Sequence, residues 1–164
     1  MAEGAVYPGT FDPMTKGHVD IVQRACQIFD HVTVAIAKST SKNPLFCYEE
    51  RLDLAQNSLK DVQNVTIEGF DGLLVQYARD KNCDIIIRGL RAISDFEFEF
   101  QMALANRKLA EQVETIFLMP KEDYTFISSS IVKDIAKHGG DCDQFVPTCV
   151  AHALEKKSGK ARVQ

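Results

Sequence analysis

No apolar run in the sequence approaches the roughly 20 residues needed to span a bilayer, and no basic segment with an apolar signal core opens it. A cytoplasmic protein with no membrane partner is the expectation. A basic excess is missing too. The formal net charge of −4 provides no broad cationic face for neutralising nucleic-acid phosphates, so nucleic acid is not an expected partner. The five cysteines (Cys26, Cys47, Cys83, Cys142 and Cys149) contain no CxxC pair and no histidine at zinc-finger spacing. Their odd number reads as reduced thiols. There is no G-x-S-x-G elbow and no G-x-x-x-x-G-K-[ST] loop. No carboxylate cluster marks a dedicated metal cage, so no metal-ligating residue is assigned. Any phosphate site must then be local, its cations converging from separate parts of the chain.

What is present is an alternation of short β-branched runs and helical patterns over 164 residues, about one domain's length. "GAVYP", "HVTVAIA", "NVTIEGF", "DIIIRG" and "TIFLMP" read as five strands. After the first, Ile21, Val22, Ala25, Ile28 and Phe29 recur at helical spacing, and "MALANRKLAEQ" supplies a longer helix in the fourth connection. "FEFEFQ" alternates like a strand but runs into that helix, and is assigned to its start. "FISSSIVKDIAKHGG" has serines at a helix start and a glycine stop, and "PTCVAHALEKK" forms a last helix. Strand and helix in repeated alternation predict an α/β fold: a Rossmann-like, doubly wound, five-stranded parallel sheet. Residues 1–164 form a single domain, with 158–164 a flexible tail.

In such a sheet, ligands bind beyond the carboxyl ends of the strands, where strand order reverses. The unusual residues fall there: Thr10 after strand one, Lys38 and Lys42 after strand two, Leu73 and Leu74 after strand three, Arg88 and Arg91 after strand four, and Tyr124 to Ser130 after strand five. With Thr15 as N-cap, Lys16, Gly17 and His18 occupy a first helical turn, where backbone N–H groups are unpaired and the dipole is positive. The third position, which commonly carries the Glu or Gln of a capping box, is His18. Gly17 allows an oxygen to approach the backbone. The "SSSIVK" start carries Lys133 rather than an acid. Two helix starts without acids suit an incoming anion. Alone, His18 would read as a surface or capping histidine, "SSS" as plain capping, and Arg88 as a salt-bridge partner of Asp95. Phe96, Phe98 and Phe100 read as core or subunit contacts.

Taken together, "YPGTFDPMTKGH", "SKNPLF", "IIRGLRAISDFEFEFQMA", "FLMP" and "YTFISSSIVKDIA" resemble the bacterial phosphopantetheine adenylyltransferases of the TxGH nucleotidyltransferase superfamily, from about Ala5 to Leu154. The family often has Trp near position 124 and Tyr near 98, where this chain has Tyr124 and Phe98. The resemblance implies transfer of the adenylyl group of ATP to 4'-phosphopantetheine, giving dephospho-coenzyme A and pyrophosphate by direct in-line attack on the α-phosphorus. It implies that His18, Thr10, Lys42 and Arg88 are catalytic. ATP would be bound by Thr10, Phe11, His18, Gly89, Leu90, Arg91 and Glu99, and by Tyr124, Thr125, Phe126, Ile127, Ser128, Ser129 and Ser130. Phosphopantetheine would be bound by Thr10, Lys42, Leu73, Leu74 and Arg88. It further implies Mg²⁺ carried mainly by the ATP phosphates, coenzyme A as a feedback ligand, and a homohexamer built as a dimer of trimers. A different acceptor, such as nicotinamide mononucleotide, or a regulator that binds ATP without catalysis, are the competing readings of the same turns.

Overall fold

The five β-branched runs pair as β1 (Ala5–Gly9), β2 (Val32–Ala37), β3 (Val65–Phe70), β4 (Ile85–Gly89) and β5 (Glu114–Leu118), all parallel, in the order β3-β2-β1-β4-β5. The computed structural model describes residues 4–39, 43–91 and 93–159. Among the described residues six α-helices connect and flank the strands: α1 (Lys16–Ile28), α2 (Tyr48–Ser58), α3 (Leu74–Asp80), α4 (Ile93–Leu109), α5 (Ser129–Lys137) and α6 (Thr148–Ser158).

Strand side chains alternate between faces, and the alternation sorts the core. Ala5 and Tyr7 of β1 and Ile87 of β4 pack with Ile21, Val22 and Ala25 of α1 and with Ala55 and Leu59 at the end of α2. Val6 and Ala35 lie in a separate cluster with Cys83. Ile86 packs with Val75 and Ala78 of α3 and with Ala110 and Val113 just beyond α4. Burying each such Val, Leu or Ile contributes about 1.5–3 kcal/mol. A further cluster joins Val132 and Ala136 of α5 to Val150 and Leu154 of α6, closing over Phe46 and Leu54.

"FEFEFQ" does lie in α4, whose last turn carries Arg107 and Lys108 at the negative end of its dipole. Its phenylalanines are not core. Phe96, Phe98 and Phe100 are exposed by 44%, 63% and 46%, with Phe96 and Phe100 stacked one turn apart at 5.6 Å. The expected tail, 158–164, overlaps the last helix by one residue. Ser158 is the last residue of α6, and Gly159 caps that helix in the left-handed conformation, its N–H bonded to Glu155. Residues 160–164 lie outside the described residues.

β1 and β2 stay in register over five residue pairs, as do β4 and β5, but β1 and β4 share only the pair Val6 and Ile86. Pro8 has no N–H with which to continue that ladder, and its carbonyl accepts instead from Arg88 Nη1 at 3.1 Å. The two central strands therefore part toward their carboxyl ends, at the point where strand order reverses.

Among the described residues, Thr115 Oγ1 in β5 is buried without a hydrogen-bond partner. Thr115→Val keeps the shape and removes the unpaired hydroxyl. It should raise stability by about 1 kcal/mol in chemical denaturation; a loss of stability would mean that the hydroxyl has a partner in solution.

Candidate active site

A cleft of about 280 Å³ opens where β1 and β4 part. Its floor begins with the turn after β1. A Cβ on Gly9 would come within 2.9 Å of the Phe11 ring, so glycine there makes room for that ring. Phe11 itself has φ +49°, a left-handed conformation costly for a bulky residue. Its buried ring packs edge-on to Tyr7 at 5.4 Å and to His18 at 5.1 Å. The strained residue thus buttresses the histidine.

Thr15 caps α1 as expected, and His18 completes the box that a glutamate commonly would. Thr15 Oγ1 accepts from the His18 N–H at 3.3 Å, and His18 Nδ1 accepts from the Thr15 N–H at 3.0 Å. An Nδ1 that accepts carries no proton, so the neutral ring is the Nε2–H tautomer, with that donor left for the cleft. Burial, then the positive charges of Arg91 and Arg88, lower the His18 pKa from 6.5 to about 4. The side chain offered to an anion is a neutral donor, not an imidazolium. Gly17 lines the cleft, and a Cβ there would meet protein atoms no closer than 3.5 Å. Protein packing tolerates a Cβ at that position, which would rest in ordinary van der Waals contact with Tyr124 and Thr15.

Among the described residues, the arginines and the lysine that line the cleft are each held by an acid. Arg88 lies inside β4, not after it, and its partner is Glu99 rather than Asp95. Nε and Nη2 donate to the two carboxylate oxygens at 2.7 and 2.6 Å. Burial works against the Arg88 charge, but the Glu99 hydrogen bonds and charge outweigh it and its pKa sits above the ordinary value. Asp95 belongs to Arg91, at 3.1 Å, whose Nη1 reaches across to the Ile127 carbonyl at 3.0 Å. Lys133 pairs with Asp12 at 2.7 Å. Among the described residues, three of the five guanidinium donors of Arg88 are used, and two others remain for an anion.

At the far side, Ser128 caps α5 by accepting from the Ile131 N–H, and Ser129 Oγ donates to the Pro13 carbonyl at 2.8 Å. Neither α1 nor α5 has an acid in its first turn, whereas α2 has Glu49 and Glu50. Two positive helix ends therefore face the same space.

Of the residues named from sequence, Thr10, Phe11, His18, Arg88, Gly89, Arg91, Glu99 and 127–130 line this cleft. Leu90, Tyr124, Thr125 and Phe126 lie outside its lining. So do Leu73, which is 53% exposed, and Leu74, the first residue of α3, which is half-buried against the clusters around Ile86 and Val6. Lys42 lies outside the described residues. Two participants carried no signal in sequence. Asp12 is a buried carboxylate that accepts from the Leu45 and Phe46 N–H groups as well as from Lys133. Tyr7 reads as plain strand, yet it lines the cleft with its pKa pushed up by burial. No group of three or more His, Cys, Asp or Glu among the described residues is arranged to hold a metal ion.

The family model described as cytidylyltransferase-like matches residues 6–135. A phosphopantetheine adenylyltransferase of Dictyoglomus thermophilum is 56% identical over 94% of each chain. One from Campylobacter fetus subsp. fetus is 51% identical over 98% of this chain and 99% of that one. Among solved structures, a bifunctional NMN adenylyltransferase/ADP ribose pyrophosphatase from Francisella tularensis superposes with a TM-score of 0.74, at 16% identity, over 98% of this chain and 51% of that one. At that identity the likeness concerns the fold alone.

The His18 assignment has a direct reading. In a ¹⁵N-detected titration the ring should stay neutral, as the Nε2–H tautomer, from pH 8 down to about 5 and protonate near 4. Because the folded pKa is depressed, this group's contribution to stability should be complete above about pH 6.5 and fall away toward pH 4. A midpoint near 6.5 would rule out the buried, capped geometry in solution.

Proposed function

The chain belongs to the cytidylyltransferase-like family and, within it, to the phosphopantetheine adenylyltransferases, and on that premise we propose how its cleft performs adenylyl transfer. The reaction joins the adenylyl group of ATP to 4'-phosphopantetheine, giving dephospho-coenzyme A and pyrophosphate. One observation carries the mechanistic reading: His18, fixed as an Nε2–H donor at the positive end of α1, stands in the crevice between the parted central strands.

The attack is in-line on the α-phosphorus, with no covalent intermediate on the protein. Such a transfer needs placement and charge stabilisation more than a protein nucleophile. The His18 Nε2–H donates to an α-phosphate oxygen as negative charge accumulates on it. Being neutral beforehand, it neither repels Arg88 and Arg91 nor needs a proton from solvent. The first-turn amides of α1 and α5 and the free donors of Arg91 hold the triphosphate, and Thr10 meets the reacting phosphate. Arg88, through its two remaining donors, and Lys42 hold the acceptor's phosphate and offset repulsion between two anions. Glu99 acts through Arg88, keeping its guanidinium flat and aimed. Mg²⁺ carried by the ATP phosphates would supply charge neutralisation there. The donor set suits an ion that brings its own ligands, because both cleft carboxylates, Asp12 and Glu99, are already held by N–H donors.

The assembly is a homohexamer built from two trimers. Phe98, Met102, Leu104 and Leu109 of α4 and Met119 beyond β5 are all large, apolar and more than 40% exposed, a grouping that favours burial against other subunits. Coenzyme A retains the pantetheine arm and phosphate groups of the reaction's components, and acts as a feedback ligand in this cleft. Among the described residues no helix is long and apolar enough to cross a membrane.

Pyrophosphate release with ATP and Mg²⁺ should require 4'-phosphopantetheine and fail with unphosphorylated pantetheine or nicotinamide mononucleotide. Release with nicotinamide mononucleotide alone would overturn the acceptor, and ATP binding without release from any acceptor would favour a regulator. His18→Ala should fold normally yet lose about 10²–10³-fold in kcat, the scale of one transition-state donor. Light scattering at micromolar concentration should give six subunits, and a monomer would refute the assembly.

A further inference from the structure

The segment following β2 has two described ends, Ala37–Ser39 on one side and Asn43–Phe46 on the other. Both ends converge on a single side chain. Arg51 of α2 is buried to 1% exposure. Its guanidinium is given to three main-chain carbonyls: Nη1 donates to Thr10 at 2.7 Å and to Ala37 at 2.9 Å, and Nε donates to Phe46 at 3.2 Å. A buried cation is expensive unless its donors are satisfied, and an apolar side chain could fill such a place without that cost. What an apolar side chain could not do is tie three separate turns together.

Neighbouring groups strengthen the tie. The Tyr48 ring has the Arg51 guanidinium carbon at 6.0 Å and Lys38 Nζ at 5.7 Å from its centroid. It packs where Gly69 has no side chain. The Lys38 N–H donates to the Phe70 carbonyl at 2.9 Å, and Asp12 accepts from the Leu45 and Phe46 N–H groups at 2.9 Å each. Pro44, within the second of these ends, lines the cleft.

We propose that Arg51 is a positioning residue for the acceptor half of the reaction, its guanidinium setting the Thr10 turn against both ends of the segment between Ala37 and Phe46. Two of its three carbonyls bracket that segment, and the third belongs to the turn that meets the reacting phosphate. Fixing the ends beforehand lowers the entropy lost when the acceptor is gripped. A lysine would keep the charge, but its compact ammonium cannot span three carbonyls as the planar fork does. The inference rests on the reading that Lys42, within this segment in the sequence, holds the acceptor's phosphate.

The test is Arg51→Lys in the full chain, read by kinetics and by amide exchange. The KM for 4'-phosphopantetheine should rise about tenfold, the scale of one charge-assisted hydrogen bond, while the Kd for ATP stays within about twofold. The Lys38, Leu45 and Phe46 amides should exchange faster, with those of β4 and α5 unchanged. An unchanged acceptor KM, or an ATP affinity falling in parallel with it, would overturn the proposal in favour of a general role in folding. If the wild-type protein itself releases no pyrophosphate with this acceptor, the reaction reading fails and the exchange data still decide: faster exchange confined to the three amides upholds the tie, and unchanged exchange overturns it. Should Arg51→Lys not fold, Tyr48→Leu removes the ring beside the guanidinium and is read in the same way.

Discussion

The early parting of β1 and β4 is the constraint on which the rest of the structure depends. A ladder reduced to the pair Val6 and Ile86 leaves main-chain groups and a gap at the centre of the sheet. Pro8 removes a donor there, and the Arg88 guanidinium, reaching over from β4, takes the carbonyl that a continued ladder would have used. The same side chain is then held flat by Glu99. Backbone geometry and site chemistry thus share an atom group, since an arginine that closes the sheet's hydrogen bonding also faces the cleft with donors to spare.

Electrostatically, the arginines and the lysine that line the cleft among the described residues are paired with acids in the free protein. Arg88, Arg91 and Lys133 are matched by Glu99, Asp95 and Asp12, and His18 is neutral because burial and the two arginines depress its pKa. In a chain of net charge −4, an unpaired cluster of cations would raise the energy of the free protein through mutual repulsion. Pairing holds the cations in place while their unused N–H groups remain available, so an anion meets oriented donors rather than loose charge. The helix ends add to this without a titratable group, because their amides carry fixed partial charge.

Periodicity was enough to read the sheet, since β-branched runs between helical patterns admit few arrangements other than a parallel α/β sheet. The helix start at Thr15 to His18, capped and without an acid in its first turn, was legible because capping chemistry is local in sequence. The partner of Arg88 was not. Both Asp95 and Glu99 lie ahead of Arg88 in the sequence, and only the β4 pleat and the placement of α4 decide that Glu99 faces it while Asp95 falls to Arg91. The alternation in Phe96, Phe98 and Phe100 was equally undecided between core and surface, because a helix that packs on an edge strand exposes much of its girth.

By itself the sequence determined the class of fold, the order of its elements and the two helix starts without acids, all of which follow from interactions a few residues apart. Tertiary structure alone decided which of the distant charges pair, that burial keeps His18 neutral, and that Arg51 and Asp12 bind the turns of the cleft to one another. Those outcomes join groups up to 121 residues apart in the chain, as Lys133 and Asp12 are. At such separations no local propensity carries information, and only burial, which makes every unpaired polar group costly, selects the partner.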